Sequence, residues 1–481
     1  MNKFLLGMDA GTTNIRSMVV DDSGRVVGRA KAKCRLNYPR PGHVEQDPEV
    51  LWSIAMDTVG KALADAEVHP RDVAAVGITG QRSSIVIWER ETGRPLGPVI
   101  IWQDLRGAVR AKELNEKGYI TVNALSAASK LEPALTAIPD GWKRMRNNEL
   151  AWGNVDSYIA FRMSGGTVHA TDASNACGTG YFDLLTGWKW FDDLLEEQGL
   201  LPSFFPEVMD TAGIFGYTAA KVFGATVPIG AMIGDQQSAA YAQGCLTPGE
   251  AKISFGTSAT CDVNTGDEIR LATGSYPFVM WFRENRKTFC LEGMVITAGA
   301  VFDWLAAVGI LKSHDEAEKT AGQAANAGGI RFLPALQGLG TPHNQYDRYG
   351  AFHNLTLAAS KANIVHAAME GVSFRVREML ERIYLDSGLP AQDTLRVDGG
   401  AAMNVAFMQV LSNITGLLIE RMDPVEATAY GAALLAGEAC GIWAPFSSGR
   451  IRKVDRVFSP AWSQSRRDEE FHDWKKSFGL A

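Results

Sequence analysis

A short glycine–hydroxyl turn between two strand-like segments occurs twice in this chain, and it is the feature that most constrains the fold. The first turn, Asp9-Ala-Gly-Thr-Thr-Asn14, joins apolar runs that predict strands over 3–8 and 17–21. The second turn, Phe255-Gly-Thr-Ser-Ala-Thr260, joins strands predicted over 250–254 and 261–264. Such turns also occur in ordinary hairpins, but their recurrence predicts a duplicated unit with a cleft between the copies.

Predicted strands alternate with predicted helices along the chain, which is typical of an α/β protein. Apolar residues at helical spacing predict helices over 48–66 and 403–414, and buried-type runs predict strands over 73–78 and 395–397. At 481 residues the chain exceeds the roughly 250–300 residues that one core serves, so two domains are expected. A linker-like segment at 244–249 places the boundary between an N-terminal lobe, 1–245, and a C-terminal lobe, 246–440, with a tail over 441–481.

Composition excludes several classes of function. Lys and Arg number 47 against 54 Asp and Glu, a net charge of −7, so no general basic field favours a nucleic acid partner. The six cysteines lie far apart without CxxC pairs, which argues against a disulfide framework and a structural zinc. No apolar run of about 18 residues suggests a membrane span. We therefore expect a soluble, cytoplasmic protein.

The first turn combines a carboxylate, a permissive glycine and two hydroxyls. Its backbone N–H groups can face an anion while Thr12 and Thr13 donate to phosphate oxygens. Asp9 beside such a site suits Mg²⁺ bound through water, because magnesium binds few carboxylates and keeps much of its hydration. The alternative is a turn whose side chains only satisfy local backbone groups. Two such turns in one chain favour a nucleotide cleft.

Asp235 is the candidate general base. It lies in Gly234-Asp-Gln-Gln237, before a helix-compatible run, so it could also be a helix N-cap. As a base it would take a proton from an alcohol that attacks a γ-phosphate, and Gln236 would orient substrate hydroxyls.

Gln81, Arg82 and Trp102 follow strand-like runs and suit a small polyhydroxylated ligand. Arg82 can donate to hydroxyls, and an indole can cover a carbon face. The alternative for Trp102 is core packing. The P-loop, dinucleotide, HExxH and G-x-S-x-G motifs are all absent, which removes those nucleotide, zincin and hydrolase classes.

Taken together, the chain resembles the FGGY carbohydrate kinases, most closely the glycerol kinase branch. The matching segments keep the family's order over some 430 residues and are 9–16, 41–48, 77–82, 102–106, 153–157, 171–175, 234–237, 255–258, 332–334, 370–371, 397–404 and 426–433. The resemblance implies two actin-like ATPase lobes of the ribonuclease H type with an interlobe cleft. It also implies an ATP- and Mg²⁺-dependent phosphotransferase with the sugar or polyol mainly on the N-terminal lobe and ATP mainly on the other.

The resemblance also assigns residues to roles. It implies that Asp235 is the base and that Asp9 and Asp235 hold Mg²⁺. The implied substrate ligands are Arg82, Trp102, Gln236, Gln81 and Thr260. The implied nucleotide ligands are Thr12, Thr13, Arg16, Gly256, Thr257, Gly299, Asp303, Gly400 and Asn404. Asp303 stands where glycerol kinases usually have Gln. Family habit implies a homodimer.

Three departures from glycerol kinases concern the substrate. Arg82-Ser-Ser84 replaces Arg-Glu-Thr, the segment 124–130 lacks the usual aromatic residue, and Thr260 replaces a Phe that covers glycerol's carbons. A smaller, more polar lining favours a tetritol, pentitol or pentulose over glycerol, with glycerol kinase proper as the alternative. A non-catalytic actin-like ATPase or chaperone module and an inactive sugar sensor are further alternatives.

Overall fold

The computed structural model describes residues 4–424 and 426–480, which divide into two compact units. The first unit contains the chain up to Ala242 together with Phe278–Thr288 and Thr428–Ile451. The second contains Gln243–Pro277, Phe289–Ala427 and the chain from Arg452 onward. Two later segments therefore belong with the N-terminal part, and the boundaries at 245, 440 and 481 stay a prediction. The assignment of sugar and ATP binding to the segments that they delimit stays a prediction.

The secondary structure alternates as expected for an α/β protein. The strands are β1 (Phe4–Ala10), β2 (Asn14–Asp21), β3 (Val26–Lys33), β4 (Glu45–Gln46), β5 (Val73–Gly80), β6 (Val86–Glu89), β7 (Val99–Ile100), β8 (Leu150–Gly153), β9 (Ala170–Asp172), β10 (Phe182–Asp183), β11 (Lys189–Trp190), β12 (Glu207–Met209), β13 (Ala212–Tyr217), β14 (Pro228–Gly234), β15 (Ala251–Phe255), β16 (Ala259–Gly266), β17 (Tyr276–Arg283), β18 (Arg286–Val295), β19 (Arg331–Leu333), β20 (Ala351–His353), β21 (Thr394–Asp398), β22 (Leu418–Asp423) and β23 (Lys453–Phe458). The helices are α1 (Pro48–Asp65), α2 (Ala108–Glu116), α3 (Ala127–Thr136), α4 (Gly141–Arg146), α5 (Val155–Met163), α6 (Ala173–Gly178), α7 (Asp192–Glu197), α8 (Ala220–Phe223), α9 (Asp235–Ala242), α10 (Ala300–Ala307), α11 (Ala317–Ala321), α12 (Lys361–Ser387), α13 (Val405–Thr415), α14 (Ala427–Ala439) and α15 (Gln464–Phe478).

Each unit is built on one large sheet, and the two sheets share a topology. The first has the order β13-β14-β5-β1-β2-β3, with β1–β2 and β2–β3 antiparallel, β1–β5 and β5–β14 parallel, and β13 antiparallel at the edge. The second contains six strands in the order β18-β16-β15-β21-β22-β23, with β15–β16 and β16–β18 antiparallel, β15–β21 and β21–β22 parallel, and β23 antiparallel at the edge. The first and second turns occupy the same place in the two sheets. The predicted duplication is confirmed.

Local sequence explains where the helices begin. Asp47 caps α1 by accepting hydrogen bonds from the amides of Glu49 and Val50, and Pro48 occupies the first helical position. The helix predicted over 403–414 begins at Val405 instead, because the Asn404 side chain accepts from the Phe407 amide and caps the helix there.

Helix α14 lies directly against the first sheet because two glycines leave room for it. A Cβ atom at Gly7 would lie 1.9 Å from the Ala429 carbonyl oxygen, and one at Gly77 would lie 2.0 Å from that of Ala432. A side chain at either position would push the helix off the sheet. This close approach carries the start of α14 to the end of β1.

The cores of the two units are made from the expected elements. In the first unit, β1, β2, β5 and β14 pack against α1 and α5, and in the second unit β15, β16, β18 and β21 pack against α12 and α13. A smaller cluster in the first unit, around Leu131 and Trp152, lies between α3, α4 and β8. Among the described residues, no helix is both long and apolar enough to span a bilayer.

Candidate active site

The first turn begins with Asp9 at the end of β1, and hydrogen bonds hold the Asp9 carboxylate in place. Asp9 is 2% exposed, and its Oδ2 accepts a hydrogen bond from Arg16 Nη1 at 3.0 Å and from Thr428 Oγ1 at 2.8 Å. Arg16 follows the turn on β2, whereas Thr428 comes from the first turn of α14. The two donors, one from each of these elements, both hold Oδ2.

The other carboxylate oxygen of Asp9 has a different environment. Oδ1 is buried and accepts no hydrogen bond from the described residues. Burial raises the pKa of Asp9, while the Arg16 guanidinium and the Thr428 hydroxyl act in the opposite direction and the Asp235 charge raises it further. A buried acceptor without a donor is costly, so this oxygen fits a hydrated cation. Among residues 4–424 and 426–480 no cluster of three or more His, Cys, Asp or Glu side chains could hold a metal ion.

A partly buried hydrogen-bond network joins the first turn to Gln81 and Trp102. Thr12 Oγ1 accepts from Trp102 Nε1 at 3.1 Å and donates to Gln81 Oε1 at 3.3 Å. Gln81 also donates to Gln46 and accepts from Ser84, and it is 1% exposed. Its amide group therefore positions neighbouring side chains in this structure, and its predicted substrate contact stays a prediction. Thr13 is exposed on the turn and accepts from the Asn14 amide group.

Arg82 and Asp235 meet at the ends of β5 and β14. Arg82 Nε donates to Asp235 Oδ1 at 3.3 Å, and the side chains are 13% and 25% exposed. Asp235 is the first residue of α9, and its carboxylate also accepts the Gln236 amide at 2.8 Å. The carboxylate thus lies at a helix N-terminus and remains partly open, with half-buried Gln236 beside it.

Phe278 is a neighbour of this pair that the sequence did not reveal. The Arg82 guanidinium lies 4.8 Å from the centre of the Phe278 ring, a cation–π geometry. Phe278 belongs to the later segment that joins the first unit, and no local pattern marks it. We call Arg82, Trp102, Asp235 and Phe278 the acceptor cluster, because the first three are predicted to contact the alcohol that accepts the phosphoryl group.

Lys130 is a second residue that sequence reasoning passed over. Its ammonium group is fully buried and donates to the carbonyl oxygens of Ile101, Trp102 and Leu125 at 3.1, 3.2 and 2.9 Å. Burial lowers the pKa of Lys130 to about 7. In the sequence, a lysine within an apolar helical pattern is the feature that could have indicated this buried position. In the structure, its three hydrogen bonds fix the backbone that carries Trp102.

In the second unit, the second turn is braced by the residues before α10. The Gly299 amide donates to the Gly256 carbonyl at 3.0 Å, and the Ala298 amide donates to that of Thr257 at 2.9 Å. A Cβ atom at Gly299 would lie 2.3 Å from the Gly256 oxygen, so only glycine allows this approach. Gly256 and Thr257 themselves are exposed.

The remaining predicted nucleotide residues lie on other elements of the second unit. Gly400 follows Gly399, which packs on the Phe255 carbonyl, and space around its Cα is open. Asn404 uses its Oδ1 as a helix cap. Asp303 lies one turn into α10 and pairs with His314 at 3.1 Å. Thr260, which was predicted as a substrate ligand, is half-buried on β16 opposite Ser254. The structure thus brings Gly299 into contact with the turn at Gly256, and it is Gly399, beside Gly400, that packs on Phe255.

Two buried carboxylates, Asp156 and Asp172, lie behind the acceptor cluster. Asp156 accepts from Thr171 Oγ1 at 2.7 Å, and both acids are at most 1% exposed. Burial raises the pKa of Asp156 to about 7, with Thr171 opposing this and the Asp172 charge adding to it. The pKa of Asp172 is raised by burial as well.

This raised pKa predicts a pH-dependent stability. Between about pH 4 and pH 7 the folded state binds a proton at Asp156 that the unfolded state has released, so the free energy of unfolding falls as pH rises and levels off above pH 7. Asp156→Asn removes this term. We expect wild type to lose about 2 kcal/mol relative to the variant between pH 5 and pH 8 in urea unfolding. Parallel pH profiles for the two proteins would contradict the assignment.

Comparison with known proteins tests the resemblance directly. The model of the FGGY family of carbohydrate kinases, N-terminal domain, matches residues 4–242, and the C-terminal domain model matches residues 251–440. This chain belongs to the FGGY family. It is 35% identical to a glycerol kinase of Desulfitobacterium hafniense, with 99% of both chains covered, and 36% identical to one of Deinococcus radiodurans, with 100% of this chain and 98% of the other covered.

Solved structures of other kinases agree with the fold. A Plasmodium falciparum glycerol kinase with ADP superposes with a TM-score of 0.90 at 27% identity, covering 99% of this chain and 98% of the other. A xylulose kinase from Lactobacillus acidophilus, at 20% identity over 99% and 96% of the two chains, has a TM-score of 0.83 and supports the fold alone. The predicted actin-like α/β fold and carbohydrate kinase activity are confirmed, which excludes the non-catalytic actin-like alternative.

Proposed function

We propose that this FGGY kinase transfers the γ-phosphoryl group of ATP to a hydroxyl of a small polyol or ketose, with Asp235 as general base. The observation that carries the proposal is the Arg82–Asp235 pair, a partly open carboxylate at a helix N-terminus 3.3 Å from a guanidinium. Asp235 takes the proton from the acceptor hydroxyl, and Arg82 and Gln236 donate hydrogen bonds to other hydroxyls. Such positioning supplies much of what phosphoryl transfer requires.

The face of the acceptor is covered from two directions. Trp102 is held by its indole N–H to Thr12, and Phe278 lies under Arg82. Both rings can contact the carbon face of a polyol while the polar groups bind its hydroxyls. In this proposal Phe278 provides the apolar contact that Thr260 and the segment 124–130 do not.

The nucleotide residues are proposed on the geometry of each unit. In the first unit Thr12, Thr13 and Arg16 donate to phosphate oxygens from the first turn. In the second unit, Gly256 and Thr257 present exposed backbone to the phosphates, and Gly299, Asp303, Gly400 and Asn404 bind the adenosine part. The ADP named in the related Plasmodium structure supports a nucleotide on this fold.

The free oxygen of Asp9 fits Mg²⁺. Asp9 would hold the hydrated ion through Oδ1, with Asp235 as the second carboxylate, while Arg16 and Thr428 keep Oδ2 occupied. When bound, Mg²⁺ neutralises charge on the phosphate oxygens.

We propose a tetritol, pentitol or pentulose as acceptor. Besides the missing aromatic residues, Ser83 stands where glycerol kinases carry a carboxylate, and its hydroxyl is already donated to the Gly178 carbonyl. The names of the relatives favour a second candidate, glycerol itself. The test is an ADP-release assay with ATP and glycerol, erythritol, xylitol, ribitol, D-xylulose and D-ribulose. We expect kcat/KM to be highest for a four- or five-carbon acceptor, and a maximum with glycerol would overturn this choice.

A further inference from the structure

The short helix α6 forms hydrogen bonds with the chain neighbours of both Arg82 and Asp235. At its start, Ser174 Oγ accepts the Gly234 amide at 2.8 Å, and Gly234 immediately precedes Asp235. At its end, the Gly178 carbonyl accepts Ser83 Oγ at 2.5 Å, and Ser83 immediately follows Arg82. One six-residue element therefore bonds to the chain next to the base and next to its arginine.

The same helix also holds the strand that carries Phe278. Cys177 Sγ accepts the Val279 amide at 3.4 Å, and the carbonyl of Val279 accepts Gln237 Nε2 at 3.3 Å. Phe278 is thus fixed between α6 and α9. Three parts of the acceptor cluster are connected through α6.

A buried carboxylate fixes the orientation of the Ser174 hydroxyl. Asp172 is 0% exposed and accepts from Ser174 Oγ at 2.9 and 2.8 Å, from the Asn175 amide at 2.9 Å and side chain at 3.0 Å, and from Thr211 Oγ1 at 2.7 Å. Capping of α6 requires only the Asn175 amide bond. The bond to Ser174 has a further consequence: its hydroxyl proton is committed to Asp172, so its lone pair faces Gly234.

There is little space for the end of β14 to move without disturbing the cluster. A Cβ atom at Gly234 would lie 2.5 Å from Gln237 Oε1 and 2.8 Å from Arg82 Cδ. Gly234 is the last residue of its strand, where the sheet ceases to supply partners, and Ser174 supplies the acceptor instead. A shift of this amide therefore moves Asp235 relative to Arg82.

From these contacts we infer that Ser174, whose hydroxyl is oriented by Asp172, is a positioning residue. It holds Asp235 where the carboxylate can take the proton of the acceptor hydroxyl. The inference rests on the proposed role of Asp235. Within the segment 171–175, which carries the family resemblance without an assigned role, Asp172 and Ser174 thereby have a function: they align the base with the substrate-binding arginine.

The test is steady-state kinetics of Ser174→Ala, with Thr171→Val as the matched control. Both changes remove a buried hydroxyl bonded to a buried carboxylate, but only Ser174 bonds next to Asp235. With the best acceptor of the panel, we expect Ser174→Ala to lower kcat at least about tenfold with the KM for ATP unchanged, because small misplacements of reacting groups are costly. Thr171→Val should keep kcat within about twofold. Hydrogen exchange should also show lost protection of the Gly234 amide in Ser174→Ala only.

The outcomes separate this inference from the proposed function. Equal kcat values for Ser174→Ala and Thr171→Val, with Asp235→Asn inactive, would overturn the positioning role alone. Transfer retained in Asp235→Asn would overturn the proposed function and this inference with it. If Ser174→Ala does not fold, Cys177→Ala tests the contact of α6 with the Val279 amide. A several-fold rise in the KM for the acceptor that Cys177→Ser reverses supports the role of α6. An unchanged KM in both variants overturns it.

Discussion

Asp235→Asn is expected to lower kcat for phosphoryl transfer by about 10²- to 10⁴-fold, the range that a positioned general base contributes. An amide can still accept the Gln236 amide hydrogen bond, but it cannot take a proton from the attacking hydroxyl. At saturating Mg²⁺, ATP binding should persist, since Asp235 is not among the nucleotide residues proposed above and Asp9 keeps the other carboxylate proposed for the ion. The measurement is kcat with the best acceptor, together with the Kd for ATP by calorimetry.

Asp193→Asn is the control for this prediction. Asp193 is an exposed residue of α7 outside the acceptor cluster, so the same chemical change there should leave both constants within about twofold of wild type. A kcat for Asp235→Asn close to that of Asp193→Asn would show that another group takes the proton.

Asp9→Asn is expected to raise the Mg²⁺ concentration needed for half-maximal rate by about 10- to 100-fold, because a neutral amide replaces the carboxylate proposed to hold the ion. Folding should not be weakened at pH 7. Burial raises the pKa of Asp9, which means that its charge opposes folding, and the variant removes that charge. The measurements are Mg²⁺ titrations of the rate and the midpoint of thermal unfolding.

Thr428→Val provides the comparison for Asp9→Asn. It removes one hydrogen bond to Oδ2 and leaves both the carboxylate and the Arg16 pair, so its Mg²⁺ requirement should change less than that of Asp9→Asn. If Asp9→Asn lost activity only in proportion to a loss of folded protein, Asp9 would be a structural residue and the metal proposal would fail.

The sequence was most informative where function depends on local pattern. The two glycine–threonine turns and the strands beside them could be predicted because turn chemistry and apolar runs are local signals. The same is true of α1, whose start is encoded by Asp47 and Pro48. From the repeated turn alone, the duplication followed, and the matching order of strands in the two sheets confirmed it.

The sequence did not predict the contacts of the site that join residues distant along the chain. Thr428 contacts Asp9 across 419 residues, and Phe278 reaches Arg82 from a segment that follows the first strands of the second unit. No periodicity or spacing encodes such contacts. Lys130 was missed for another reason: a lysine in a helical pattern is ordinarily exposed, and only packing shows that three backbone carbonyls surround it.

The central claim is that the terminal phosphoryl group of ATP goes to an alcohol rather than to water, and ³¹P nuclear magnetic resonance of the reaction mixture observes this directly. With wild-type protein, Mg²⁺, ATP and the best acceptor of the panel, we predict one phosphate monoester resonance that grows in equal amount with ADP. ADP accompanied only by inorganic phosphate, whichever polyol or ketose is supplied, would contradict the claim.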